Sequence, residues 1–233
     1  MNMNQIIKAI VFDLDGTLYD SNVYWIGVFN EISEYLFNEY RIRKNRSYNI
    51  LINIFNQKSS SYGYLFNDLL KQININQKFH KQIIKKLVYI YHNHVPNIVP
   101  YKDVIPTLTV LKNDYELAII SNGKPSTQRK KVKYLGLNDY FDYSLFLEGE
   151  NIKPNTKPYL TLSKKLNIKP NEMIYVGDNP YVDFSGKKLG LKTIRIMRGE
   201  FKKVNISNEF EADYVLRNLN DSLNIINNIQ MTF

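Results

Sequence analysis

Short apolar runs rich in β-branched residues recur along this chain, three of them stopping abruptly at Asp13, Ser121 and Gly177, and restrict it to few folds. The clearest is IIKAIVF at 6–12, followed at once by Asp13. A run that is apolar at consecutive positions, rather than alternating, reads as a strand buried on both faces, as parallel sheets require. Comparable runs lie at 115–120 (YELAII), 173–176 (MIYV) and 192–197 (KTIRIM), with weaker ones at 143–147 (YSLFL) and 213–216 (DYVL). Between them apolar residues take helical spacing, as at Val104, Leu108 and Leu111 and at Tyr159, Leu162 and Leu166. Strand and helix in alternation predict an α/β fold with a parallel sheet covered by helices on both faces.

The stretch from about 21 to 94 breaks that rhythm. It lacks strand-like runs and instead spaces Ile26, Phe29, Ser33, Phe37 and Tyr40, then Phe79, Ile83, Leu87 and Ile90, at helical intervals. An all-α insertion is predicted over 18–95, interrupting a core made of 1–17 and 96–233. Its internal turns are expected at SSSYG (59–63) and NINQ (74–77), and VPNIVPY (95–101), with two prolines, marks the return to the core.

Bulk properties exclude several classes of function. At 233 residues with 44% hydrophobic and 23% charged side chains, the chain has globular composition and no disordered bias. The absence of cysteine removes disulfides, thiolate metal sites and Cys nucleophiles. The opening MNMNQIIKAIVFDLDG carries no basic segment leading into a long apolar one, and no run reaches the roughly 18 apolar residues of a membrane span. The expectation is a soluble cytoplasmic protein, monomer or homodimer, without a membrane partner. The net charge of +9 is spread over RIRKNR at 41–46, QRKKVK at 128–133 and GKK at 186–188 rather than gathered with stacking aromatics. No nucleic-acid partner is therefore expected, whereas a positive field would draw in phosphorylated substrates.

The chemistry concentrates where strands end. In extended backbone Asp13 and Asp15 point the same way and Leu14 the other, so two carboxylates meet at the carboxyl edge of the sheet. Two close carboxylates repel unless a cation lies between them, and a hard divalent ion such as Mg2+ suits oxygen ligands. Gly16 permits a tight turn presenting backbone N–H groups to an anion. Taken alone, DLDG also reads as an Asx turn. Ser121, Asn122 and Gly123 follow YELAII, placing a hydroxyl and an N–H-rich turn at a second strand end. Lys153-Pro154 offers an ammonium for a carboxylate or a phosphoryl group. Gly177-Asp178-Asn179 follows MIYV, with Asp183 five residues beyond Asp178. Each of these three is, by itself, also an ordinary turn or surface feature.

In order and spacing, VFDLDGTLYD (11–20), IISNG (119–123), Lys153-Pro154 and VGDNPYVD (176–183) resemble the four motifs of the haloacid dehalogenase superfamily. The likeness extends over nearly the whole chain. It implies a Rossmann-like core, and the helical block resembles the cap of the superfamily's first subfamily, hinged near Thr17–Ser21 and Pro96–Tyr101. Residues 100–142 resemble its phosphatase members. The resemblance implies a Mg2+-dependent phosphatase acting on a small phosphorylated metabolite such as a sugar phosphate or nucleotide. By position, Asp13 would be the nucleophile and Asp15 the acid and base. Mg2+ would be held by the Asp13 carboxylate, the Asp15 carbonyl and Asp178, with Asp183 orienting them from behind. Thr17, Ser121, Asn122, Gly123 and Lys153 would hold the phosphate. Lys157-Pro158 repeats the Lys-Pro pattern, so two lysines compete for one role; spacing to GDN favours Lys153.

Asp15 argues against a dehalogenase, whose pattern lacks it. A sugar phosphomutase would use the same Asp pair, and a silent binding protein would have no need of the full set. The substrate stays unassigned, with Tyr19, Asp20, Tyr24 and Trp25 among the candidates for selecting it; for Trp25, packing within the helical block is the favoured reading.

Overall fold

A computed structural model describes residues 6–60, 62–207 and 211–231. Residues 1–5, part of the opening read for a targeting signal, and Ser61 of the 59–63 turn lie outside them. The predicted strands form: β1 (Ala9–Phe12), β2 (Glu116–Asn122), β3 (Tyr143–Leu147), β4 (Met173–Gly177), β5 (Lys192–Ile196) and β6 (Tyr214–Leu216). They pair in parallel in the order β3-β2-β1-β4-β5-β6. β1, fully buried at all four residues, lies at the centre because its run is apolar on both faces. In this order the chain winds outward one way through β2 and β3 and the other way through β4 to β6. The carboxyl ends of β1 and β4 therefore flank the switch point, where open α/β sheets bind ligands.

The chain divides into two compact units, one of Met1–Asn22 with Ile98–Phe233 and one of Val23–Asn97. The first holds the sheet with α5 (Val104–Leu111), α6 (Pro125–Tyr134), α7 (Lys157–Leu166) and α8 (Asp221–Met231). Pro125 opens α6 with its fixed φ, and α7 closes on Asn167 in left-handed conformation (φ 55°). Against one face of the sheet Val11, Ala118, Ile120 and Tyr175 share a buried cluster with Tyr159 and Leu162 of α7.

The second unit is helical: most of α1 (Ser21–Tyr40), then α2 (Lys44–Lys58), α3 (Leu65–Gln72) and α4 (His80–Asn93). Asp20 precedes α1 and accepts the Asn22 amide at 3.0 Å. Trp25 stacks on Tyr91 (centroids 4.9 Å, 20°) and meets Phe29 and Phe55, tying α1, α2 and α4 together. Tyr24 is buried and donates to the Tyr91 carbonyl at 2.8 Å. A Cβ on Gly27 would fall 2.5 Å from Nε2 of the buried His94, so only glycine lets that ring pack there.

One expected stripe is displaced. α1 buries Tyr24, Val28, Phe29, Ile32, Ser33 and Leu36, whereas Ile26 and Phe37 are exposed. The helix is apolar on more than one side, so spacing leaves its buried face open and packing decides it. Among the described residues no helix is long and apolar enough to cross a membrane.

Leu162, fully buried, and Leu160, 39% exposed, share α7 and give an internal comparison. Leu162→Ala should cost about 2–5 kcal/mol in urea unfolding and Leu160→Ala roughly 0.5 kcal/mol or less. Equal losses would contradict the packing of α7 described above.

Candidate active site

Each strand around the switch point delivers a polar residue as its apolar run ends. β1 continues one ladder step, with the Asp13 amide donating to the Val176 carbonyl at 2.8 Å, which fixes Asp13 at the sheet edge. Gly16 follows with φ +80° and its amide bonded to the Tyr19 carbonyl at 3.1 Å. Ser121 is the penultimate residue of β2, Lys153 follows β3, and Asp178 and Asp183 follow β4. All nine residues named for the site, Asp13, Asp15, Thr17, Ser121, Asn122, Gly123, Lys153, Asp178 and Asp183, lie in the first unit.

Lys153 joins three of these elements. The residue is only 2% exposed, and its Nζ donates to Asp13 Oδ1 at 2.5 Å, Asp183 Oδ1 at 2.6 Å and the Tyr175 hydroxyl at 2.7 Å. The ammonium's three donors are all used. Burial opposes its charge, but Asp13 and Asp183 outweigh that and raise its pKa. Asp13 is in the reverse position. Burial is the larger effect and, with repulsion from Asp183 and Asp15, pushes its carboxyl up to about 7 despite Lys153. Lys157 opens α7 and is exposed, so of the two competing lysines it is Lys153 that reaches the carboxylates. Asn122 pins Lys153 from behind, its side chain donating to the Lys153 carbonyl at 3.0 Å and accepting the Lys153 amide at 2.9 Å.

Asp15 has a separate set of partners. Its Oδ1 accepts from Lys131 Nζ at 2.6 Å and from the Tyr19 hydroxyl, and its Oδ2 from Gln128 Nε2 at 2.6 Å. Burial alone would raise this carboxyl; the Lys131 ammonium and the three donors hold it below the usual range. Lys131 stands in the run QRKKVK, which the sequence presents as scattered surface charge, yet it is 3% exposed. Gln128, 1% exposed, precedes it by one helical turn on the same face of α6.

Two expected phosphate contacts are otherwise engaged. The Thr17 hydroxyl is buried and donates to Asp178 Oδ1 at 3.1 Å, and the Gly123 amide donates to the Leu147 carbonyl at 2.6 Å. Both groups therefore serve internal bonds in this structure rather than facing an anion.

The carboxylates fit a divalent cation. One oxygen from each of Asp13, Asp178 and Asp183 lies within 4.8 Å of the others, all three residues being buried. Burial, then repulsion from Asp183 and Asp13, raises Asp178 well above the ordinary carboxyl range, so this cluster is short of positive charge even with Lys153 present. The crowding is tight. A Cβ on Gly16 would fall 2.3 Å from Asp178 Oδ2, and one on Gly177 would fall 2.3 Å from Asp183 Oδ2. Asp183 Oδ2 accepts the Asn179 amide at 2.9 Å while its Oδ1 meets Lys153, so it is the most heavily bonded of the three.

Residues 10–196 match the family model described as haloacid dehalogenase-like hydrolase. The chain belongs to this family. It is 31% identical over 230 residues to a glyceraldehyde 3-phosphate phosphatase of Methanocaldococcus jannaschii, covering 97% of this chain and 99% of that one. It is 30% identical over 230 residues to the pyrophosphatase PpaX of Halalkalibacterium halodurans (94% and 97%). Among solved structures, a HAD phosphatase from Thermococcus onnurineus superposes with TM-score 0.67 at 26% identity (94% and 98%).

Within this haloacid dehalogenase-like hydrolase, sequence reasoning missed Gln128, Lys131, Tyr175 and Arg198. Arg198 donates to both oxygens of Asp103 at 2.8 and 2.9 Å and to the Thr17 carbonyl, bracing the loop after β1. A long polar side chain signals burial only through its partner, and these partners lie 95 or more residues away for Arg198, and 113 and 116 for Gln128 and Lys131.

The raised carboxyls set a pH test. A carboxyl whose folded pKa is raised contributes stability below its ordinary value and loses it as pH rises through the folded one. For Asp13 that loss runs from about pH 4 to about pH 7, with Asp178 acting in the same direction. Added Mg2+ should therefore raise the melting temperature more at about pH 8 than at about pH 5.5. An equal or larger shift at the lower pH would contradict this electrostatic account.

Proposed function

We propose that this hydrolase cleaves a phosphomonoester of a small metabolite through an aspartyl-phosphate on Asp13, with Mg2+ at the carboxylate cluster. The observation that carries the reading is the pairing of Asp13 with Lys153 beside Asp178 and Asp183, at the switch point, with a second, separately held carboxylate on Asp15. Two carboxylates in different environments are what a nucleophile and an acid–base group require. The names of the relatives, one acting on glyceraldehyde 3-phosphate and others called pyrophosphatases, point to small phosphorylated substrates.

In the first step an Asp13 carboxylate oxygen attacks phosphorus, the bond to the leaving oxygen breaks, and Asp15 gives that oxygen a proton. In the second, water attacks the same phosphorus, its proton passes to Asp15, and the bond to Asp13 breaks, releasing phosphate. The two halves make opposite demands on Asp15, and its depressed pKa suits the second. Ser121 holds a phosphoryl oxygen as charge shifts, and the Lys153 ammonium, whose donors are held by Asp13, Asp183 and Tyr175, stabilises the phosphoryl group by its adjacent positive charge. Thr17 and Asn122 act through the residues they bond, Asp178 and Lys153. Asp13, Asp178 and the Asp15 carbonyl would hold Mg2+, with Asp183 as an orienting residue, and the ion would neutralise charge that otherwise repels the incoming phosphate. Residues 18–95 are assigned as the cap that selects the substrate, and 1–17 with 96–233 as the catalytic core.

Phosphate release from p-nitrophenyl phosphate and a panel of phosphorylated metabolites, with and without Mg2+, tests the assignment. The wild type should turn over only with the metal, and Asp13→Asn should lose at least ~10⁴-fold in kcat while staying folded. Unchanged turnover by Asp13→Asn would remove Asp13 from the chemistry.

A further inference from the structure

Gln128 occupies a position between two parts of the proposed reaction. Its Nε2 lies 2.6 Å from Asp15 Oδ2, 2.8 Å from Ser121 Oγ and 3.3 Å from the Asn122 carbonyl. One amide group thus touches both the carboxylate assigned to proton transfer and the hydroxyl assigned to the phosphate. Its side chain is seated against Gly123: a Cβ there would fall 3.0 Å from Gln128 Cδ and 3.2 Å from Cγ. Gly123, at φ +136°, is favoured by its own backbone, and any side chain there would press on Gln128.

Lys131 completes the arrangement from the next turn of α6, and Tyr19, fully buried, from the loop after β1. An aspartate has two soft side-chain torsions, and a single hydrogen bond leaves it free to swing. Three donors on two oxygens, arriving from two elements, leave one orientation. α6 buries two long polar side chains to achieve this, an arrangement costly unless each is fully bonded.

We propose that Gln128, assisted by Lys131, is a positioning residue that fixes the Asp15 carboxylate at a set distance from Ser121, and hence from the leaving oxygen. The inference rests on the reading of Asp15 as the acid–base group. Neither side chain need touch the substrate. Their effect on proton transfer runs through Asp15, with the Gln128 bond to Ser121 setting the distance, and that separates positioning from a general structural role.

The test compares Gln128→Leu, similar in length but without amide donors, with wild type on two substrates under Mg2+. With an alkyl phosphate, whose leaving group needs a proton, kcat should fall roughly tenfold or more with little change in KM. With p-nitrophenyl phosphate, whose leaving group needs little help, the first-turnover burst of p-nitrophenolate should stay within about threefold and steady turnover should slow. In an Asp15→Asn background, adding Gln128→Leu should cost less than about twofold more. Should Gln128→Leu melt before assay, Gln128→Asn, whose amide is one methylene short, must give the same pattern. Equal losses on both substrates that persist beside Asp15→Asn, or full-speed alkyl phosphate turnover by either variant, would overturn the inference alone. An inactive wild type would overturn the phosphatase reading and this inference with it.

Discussion

The buried contact of Lys153 with Asp13 and Asp183 is the interaction on which the rest of this molecule depends. A lone carboxylate moved into a protein interior is strongly disfavoured, and here three share one place. A single ammonium within 2.6 Å of two of them keeps the cluster tolerable, and its own three donors are used up in doing so. The remaining shortage of positive charge appears as the raised carboxyls of Asp13 and Asp178, which makes the same cluster receptive to a divalent cation.

That contact dictates much of the surrounding architecture. Lys153 reaches the carboxylates because Asn122 at the end of β2 holds its backbone at both the amide and the carbonyl. Asp178 and Asp183 approach because Gly16 and Gly177 present no Cβ to their oxygens. Tyr175, inside β4, turns its hydroxyl into the cluster and packs edge-on to Tyr159, whose own hydroxyl donates to the Asp183 carbonyl at 2.6 Å. The parallel order with β1 at the centre is what brings the ends of β1, β2 and β4 close enough for these bonds to form.

What the sequence reveals and what it hides follow from the range of the signal. The strand at 143–147 is legible because its run is local, and the helical block at 21–94 because no strand-like run interrupts it. The strand-end residues are legible because DLDG, SNG and GDN follow apolar runs directly. Lys131 is hidden: in QRKKVK it has the appearance of solvated charge, and the ion pair that accompanies its burial is with Asp15, far away in the chain. The inward face of α1 is hidden for a different reason, since Ile26 and Phe37 are as apolar as the residues that pack, and choosing between them requires the other helices. Thr17 and Gly123 show a third limit. Their residue types suit an anion, but the structure engages both in internal bonds.

The central claim is that Asp13 itself becomes phosphorylated. Acid quenching during the first turnover, followed by peptide mapping of the phosphoryl label, measures this directly, because acyl phosphates survive brief acid and are released by hydroxylamine. The account predicts a hydroxylamine-labile label confined to the peptide containing Asp13, accumulating at the rate of leaving-group release. Label on another residue, or leaving-group release without any labelled peptide, would contradict it.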